Sequence, residues 1–184
     1  MSKVLIPLAN GCEELESVTL IDLLRRAQIE VITASLDDDL NITASRGVRL
    51  IADTSLSAVL AEDFDMIVLP GGQPGTDNLN ADKRIHSLLQ KMADKHCWIA
   101  AICAAPLVLA HAGILNGFRA VAYPGVLHTE QWPEIQLNDD AVVIDGHIIT
   151  SRGPGTAMDF ALTLIEQLTD AETRSEVTAG LVRS

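Results

Sequence analysis

Residues 99–106 read IAAICAAP, an apolar run that meets a cysteine and then a proline. Proline removes a backbone donor and fixes φ, so it suits the first turn of a helix better than the continuation of a central strand. The spacing therefore predicts a strand over 96–102 (HCWIAAI), a short helix from Pro106 through 107–111, and Cys103 at the corner between them.

Outward from that corner the same alternation repeats. DMIVLPGG at 65–72 reads as a buried strand ending in a glycine turn, and 81–95 has helical spacing through Ile85, Leu88, Leu89 and Met92. KVLIPLA at 3–9 is a strand, 13–27 a helix and EVITASL at 30–36 a second strand, the opening of a βαβ unit. The helix over 13–27 has apolar residues at Leu15, Val18, Ile21 and Leu24, acids Glu13, Glu14 and Glu16 in its first turn, and Arg25 and Arg26 in its last, which complements the macrodipole at both ends. ITASRGVRLIADTS at 42–55 reads as a strand pair beside the main sheet, and AVVIDGHIITS at 141–151 as a hairpin about Asp145-Gly146. GTAMDFALTLIEQLTD and the segment from Ala171 close the chain as helices. The pattern predicts an α/β fold: one domain over 1–184, a doubly wound sandwich on a mostly parallel sheet.

Composition narrows the function. With 25 acidic against 13 basic side chains the formal net charge is −12, and the arginines are dispersed, so nucleic acid is not an expected partner. Three cysteines without a C-x-x-C pair argue against a disulfide framework and a structural zinc site, and suit a reducing cytoplasm. The longest apolar run, 97–110, is about fourteen residues and carries Pro106, against the ~20 that a membrane span needs, so no membrane is expected. About six apolar residues precede Asn10-Gly11, too few for the core of a secretory signal.

Cysteine is among the most buried residue types, and Cys103 taken alone reads as a small core hydrophobe. Its corner offers another reading. Ligands in open parallel sheets bind at the carboxyl ends of the strands, which brings Cys103 and Gly71-Gly72 to one edge. A helix N-terminus lowers a thiol pKa from ~8.5 into the range 3.5–7.5, and the N–H groups of Ala104 and of the glycine pair are placed to hold a negative oxygen. The glycines alone read equally as an ordinary turn.

NGCEELES at 10–17, ASRGV at 44–48, VLPGG at 68–72, IAAICAAP at 99–106 and TSRGPGTAMDFAL at 150–162 together resemble the ThiJ/PfpI family, in the branch of the parkinsonism-associated protein and bacterial YajL. The motifs fall in the family's order and cover nearly the whole chain, and the resemblance implies a flavodoxin-like sandwich. It also implies that Cys103 is the reactive, easily oxidised cysteine and Glu16 its proton-shuttling partner, a role that suits a carboxyl raised by an apolar pocket. Gly72 and Ala104 match the oxyanion-binding amides. Arg46 and Arg152 match arginines of the pocket or of a dimer contact, with a solvated loop charge as the alternative, and Pro154 and Gly155 match the pocket rim. A homodimer and cysteine-dependent glyoxalase or deglycase chemistry on a small dicarbonyl or glycated substrate are implied, with no cofactor and no metal. A redox sensor or chaperone acting through oxidation of Cys103, and an amidase- or protease-like hydrolase, are the alternatives.

One departure bears on the last of these. AVAYPGVLH puts Tyr123 before Pro124, where some relatives have a histidine, so an acyl-transfer base is missing from that position. Tyr123 either bonds a ligand or fills space. Cys12 is expected in a loop opposite the active edge of the sheet.

Overall fold

The computed structural model describes residues 1–183. Its first half runs β1 (Lys3–Leu8), α1 (Glu14–Arg26), β2 (Glu30–Ser35), β3 (Asn41–Thr43), β4 (Arg49–Ile51), β5 (Thr54–Ser55), α2 (Leu56–Val59), β6 (Met66–Leu69), α3 (Gly75–Ala81) and α4 (Lys83–Asp94). The second half runs β7 (Trp98–Ile102), α5 (Pro106–His111), β8 (Arg119–Ala120), β9 (Gln136–Leu137), β10 (Val142–Asp145), β11 (Ile148–Ser151), α6 (Ala157–Leu168) and α7 (Ala171–Gly180).

Seven strands form the central sheet in the order β10-β11-β7-β6-β1-β2-β5. All neighbours are parallel except the β10–β11 hairpin. Side chains alternate between the faces, as the period of two requires. Met66 and Val68 of β6 and Ala100 and Ile102 of β7 enter one core, while Ile67, Leu69, Ile99 and Ala101 enter the other. Leu23 and Leu24 of α1, Phe160 and Leu164 of α6 and Val177 of α7 complete the first core; α2, α3, α4 and α5 cover the second. Both faces are buried, which explains why the strands read as continuous apolar runs. The order β2-β1-β6-β7-β11 is flavodoxin-like. Its winding reverses beside β1, so a crevice opens at the carboxyl ends of β1 and β6.

Several expectations need correction. The helix expected over 81–95 is α4, but α3 precedes it, and Asp82, whose carboxylate accepts from the Arg84 N–H at 2.8 Å, caps and separates the two. The strand pair expected within 42–55 exists as the separate β3–β4 ribbon, while β5 joins the edge of the main sheet. Of the four apolar residues marked on α1, only Leu24 is fully buried; Leu15 and Val18 are 51% and 46% exposed. The face that meets the sheet carries Glu16, Ser17, Leu20, Leu23 and Leu24 instead, since α6 packs along α1 and sets its rotation. Among the described residues no helix is long and apolar enough to cross a membrane.

Phe160 is fully buried where α6 packs against α1 and the sheet. Phe160→Ala is expected to cost about 3–5 kcal/mol, read as a lower urea midpoint at unchanged m.

Candidate active site

Cys103 follows the last residue of β7 and precedes α5 by two residues. Its φ is 64°, in the left-handed region where a non-glycine residue is strained by about 1–3 kcal/mol. Two backbone bonds hold that conformation. Cys103 N–H donates to the Ser151 carbonyl at 2.9 Å, and its own carbonyl accepts from Tyr123 N–H at 2.7 Å. The turn aims the side chain out of the strand ladder at the carboxyl edge of the sheet, and the residue is 8% exposed.

Glu16 reaches the same point from the opposite side. It lies in the first turn of α1, is fully buried, and accepts the Gly71 N–H on Oε2 at 2.9 Å. Oε1 is buried with no hydrogen-bond partner. Between the two side chains sits Gly71, where a Cβ would lie 2.7 Å from Cys103 Cβ and 2.9 Å from Glu16 Oε2. Only a residue without a side chain leaves the thiol and the carboxyl side by side. Gly72, at φ 93°, is equally forced: a Cβ there would lie 2.4 Å from Glu13 N.

Burial dominates the electrostatics. It raises the Glu16 carboxyl to about 7, against smaller lowering by the Gly71 N–H and by Cys103. The thiol does not follow the sequence expectation. Burial first and the Glu16 negative charge second push Cys103 up to about 12, although the N–H groups of Ala104 and Gly72 pull the other way. The expected helix-terminal effect is outweighed because the helix begins at Pro106 and spans six residues, and because a carboxylate stands beside a thiol cut off from water. The charge that opposes the thiolate belongs to ionised Glu16, and it vanishes once Glu16 is protonated. The two groups therefore titrate as a coupled pair, in which the Gly72 and Ala104 N–H groups favour negative charge on the sulfur and a Glu16 carboxylate opposes it.

The other residues singled out in sequence are distributed around this centre. Tyr123 is tied to Cys103 by its backbone, is half exposed, and has its ring against Gly153, where a Cβ would lie 3.3 Å from it. Pro154 and Gly155 form the helical turn between β11 and α6. Arg152 points to Asp139, with Nη1 2.7 Å from its carbonyl and 3.2 Å from its carboxylate. Arg46 is exposed on the β3–β4 turn, where its N–H donates to Glu14 at 2.8 Å. Neither arginine has a polar contact with Cys103 or Glu16. Cys12 lies on the active edge rather than opposite it: it is buried after β1, its carbonyl accepts from Ser45 N–H, and its backbone packs on Gly72 and Gly75.

Glu13 was legible only as a helix-start acid. In the structure its carboxylate accepts the Glu16 N–H at 2.7 Å, and its N–H donates to the Gly71 carbonyl at 2.8 Å. A glutamate in place of the usual Ser, Thr, Asp or Asn at a helix N-cap was the signal in sequence.

Comparison with known proteins gives a consistent set of relatives. The DJ-1/PfpI family model matches residues 2–167. Protein dj-1beta of Drosophila melanogaster is 42% identical over 183 residues, covering 99% of this chain and 98% of its own. Its crystal structure has a TM-score of 0.95 over 100% of both chains. Oxidised DJ-1 of Toxoplasma gondii is 38% identical with a TM-score of 0.93, again over 100% of both chains. A glutathione-independent glyoxalase of Caenorhabditis elegans, DJR-1.2, is 34% identical over 92% of this chain and 89% of its own. Protein DJ-1 homologs A and B of Arabidopsis thaliana are both 41% identical, and the chain spans 46% and 41% of their lengths.

The raised Glu16 carboxyl carries a stability prediction. Its folded value lies above its ordinary 4.5, so the stabilisation of the folded state present below pH 4.5 is lost as pH rises through about 7. Glu16→Gln is expected to stabilise the protein at pH 8 by about 3 kcal/mol. That gain is expected to shrink towards zero below pH 4.5, as urea unfolding at the two pH values will show.

Proposed function

The chain belongs to the DJ-1/PfpI family, and from that membership and the buried Cys103–Glu16 pair we propose a cysteine-dependent, cofactor-independent protein of glyoxalase or protein-deglycase type. Its substrates are reactive dicarbonyls or their early glycation adducts, and its role is protection against them. The carrying observation is a thiol and a carboxyl on either side of Gly71, with two peptide N–H groups at the sulfur. The DJR-1.2 relative, named as a glyoxalase, supports the same reading.

With methylglyoxal the chemistry runs without an external oxidant. The Cys103 proton passes to Glu16, and the sulfur forms a bond to the aldehyde carbon while the carbonyl electron pair moves to oxygen. The Gly72 and Ala104 N–H groups stabilise that oxyanion. Glu16 protonates it, then removes the hydrogen of the former aldehyde carbon as a proton. An enediolate results, and return of the proton from Glu16 to the neighbouring carbon, with the hydroxyl proton of the first carbon passing to the former ketone oxygen, leaves a lactoyl thioester on Cys103. Water cleaves the C–S bond, releasing lactate and restoring the thiol. The aldehyde carbon is oxidised, the ketone carbon is reduced, and Glu16 ends as it began.

The same donors favour a second reading, Cys103 as a redox sensor. A sulfinic acid on Cys103 places oxygens where Gly72 N–H, Ala104 N–H and a protonated Glu16 can hold them, and the Toxoplasma relative is described in an oxidised state. A homodimer belongs to both readings. Leu15 and Val18 on α1 and Val48 and Ile51 on the β3–β4 ribbon are exposed apolar side chains, and Val48 N–H reaches Glu14 of α1 at 3.5 Å, so the ribbon and helix share a face. Arg46 sits in that ribbon's turn.

Lactate formed from methylglyoxal in buffer free of amines and thiols tests the first reading. Many turnovers by the native protein and none by Cys103→Ala are expected; lactate from neither removes the glyoxalase reading and leaves the sensor, whose mark is two added oxygens on Cys103 after mild peroxide. For the dimer, sedimentation of Ile51→Glu is expected to show monomer where the native chain shows dimer.

A further inference from the structure

Three hydrogen bonds close a ring at this site. Glu13 N–H donates to the Gly71 carbonyl at 2.8 Å, Gly71 N–H donates to Glu16 Oε2 at 2.9 Å, and Glu16 N–H donates to the Glu13 carboxylate at 2.7 Å. The ring joins the oxyanion loop, the buried acid and the cap of α1 in one rigid unit. Capping by itself does not call for glutamate, since shorter uncharged side chains cap at least as well. Glu13 adds a negative charge one helical turn from a carboxyl with no exposure, and its carbonyl is also occupied, accepting from the Ser17 N–H and Oγ.

We propose that Glu13 is a positioning residue for the Cys103–Glu16 pair: it fixes Glu16 and the Gly71 peptide through this ring, and its charge disfavours a Glu16 carboxylate and so raises the share of the pair's single negative charge that Cys103 carries. A pair with one negative charge can place it on oxygen or on sulfur. Glu13 is bonded to the segment that carries the oxygen, so its repulsion falls on a Glu16 carboxylate: burial raises Glu16 most and the Glu13 charge adds a smaller push in the same direction, while Cys103 is governed by burial and by Glu16 itself. Among the described residues no cation faces Glu16. From the β7–α5 corner the titratable group facing Glu16 is Cys103; the β6 loop offers the Gly71 and Gly72 backbone; Cys12 is a buried thiol in the preceding loop. Glu14 is turned to Ser45 and Arg46 N–H, and Asp159 of α6 to Arg183.

This inference rests on the pairing of Cys103 with Glu16 but not on any turnover, so the test reads the thiol directly. The rate of Cys103 alkylation by iodoacetamide is followed from pH 5 to 10 in the native protein, Glu13→Gln and Glu13→Ser, each with an uncharged oxygen acceptor, after circular dichroism confirms the fold. Both variants are expected to alkylate roughly three- to tenfold more slowly above pH 8, the change that half to one pKa unit of charge coupling produces. Their profiles are expected to level off at lower pH, because Glu16 ionises more easily and holds the pair's single charge. In a Glu16→Gln background the effect of Glu13→Gln is expected to vanish. Native-like profiles in both uncharged variants, or an equal loss with Glu16 already replaced, overturn the proposal and leave Glu13 a helix cap. Absence of lactate formation with the expected alkylation profile overturns the glyoxalase reading alone.

Discussion

A carboxyl group with no solvent exposure, held by one peptide N–H and facing a cysteine, is the constraint on which this molecule turns. Burial of an ionised carboxylate is costly, and the protein answers by raising Glu16 to about 7 rather than by giving it a cation. Everything at the carboxyl edge of the sheet follows from keeping that group dry and close to sulfur. Gly71 has no side chain because the thiol and the carboxyl occupy the space on either side of it. Cys103, in a left-handed conformation just past the end of β7, stands with its Cβ against Gly71 at that edge.

The fold supplies the place for this arrangement. In the order β2-β1-β6-β7-β11 the winding reverses beside β1, and the connections leaving β1, β6 and β7 converge at one edge. Three chain segments remote in sequence meet there: the start of α1, the glycine pair after β6 and the corner after β7. Two apolar cores, one on each face, hold the strands whose ends carry the site. The strain at Cys103 is sustained by bonds to Ser151 and Tyr123, which tie the corner to β11 and to the loop after β8.

Stability and chemistry pull in opposite directions at Glu16. A neutral amide would suit the buried position better above pH 7, whereas the proposed chemistry needs a carboxyl that can exchange a proton with sulfur. Under the proposed function, the coupling also accounts for nucleophilic attack by a thiol that burial raises. Its proton has a receiver within the same dry pocket, and once Glu16 is neutral the amides of Gly72 and Ala104 act on the sulfur without opposition.

By itself the sequence determined the alternation of strands and helices, the parallel sheet, the hairpin about Gly146 and the corner at Cys103, because these depend on local periodicity, on proline and glycine, and on runs buried on both faces. Resemblance to a family was needed to single out Glu16, which reads locally as one of three acids in a first turn. Only the tertiary structure decided which face of α1 turns inward, and so exposed Leu15 and Val18 while burying Glu16. It also put Cys12 on the active edge and Glu13 in a ring with Gly71. The reason is physical: helix rotation and the approach of the β6 loop are fixed by packing against α6 and the sheet, through contacts between segments far apart in the chain that no local pattern encodes. The state of the thiol was decided at the same level, since burial and a neighbouring charge outweighed the amide dipoles that the corner alone suggests.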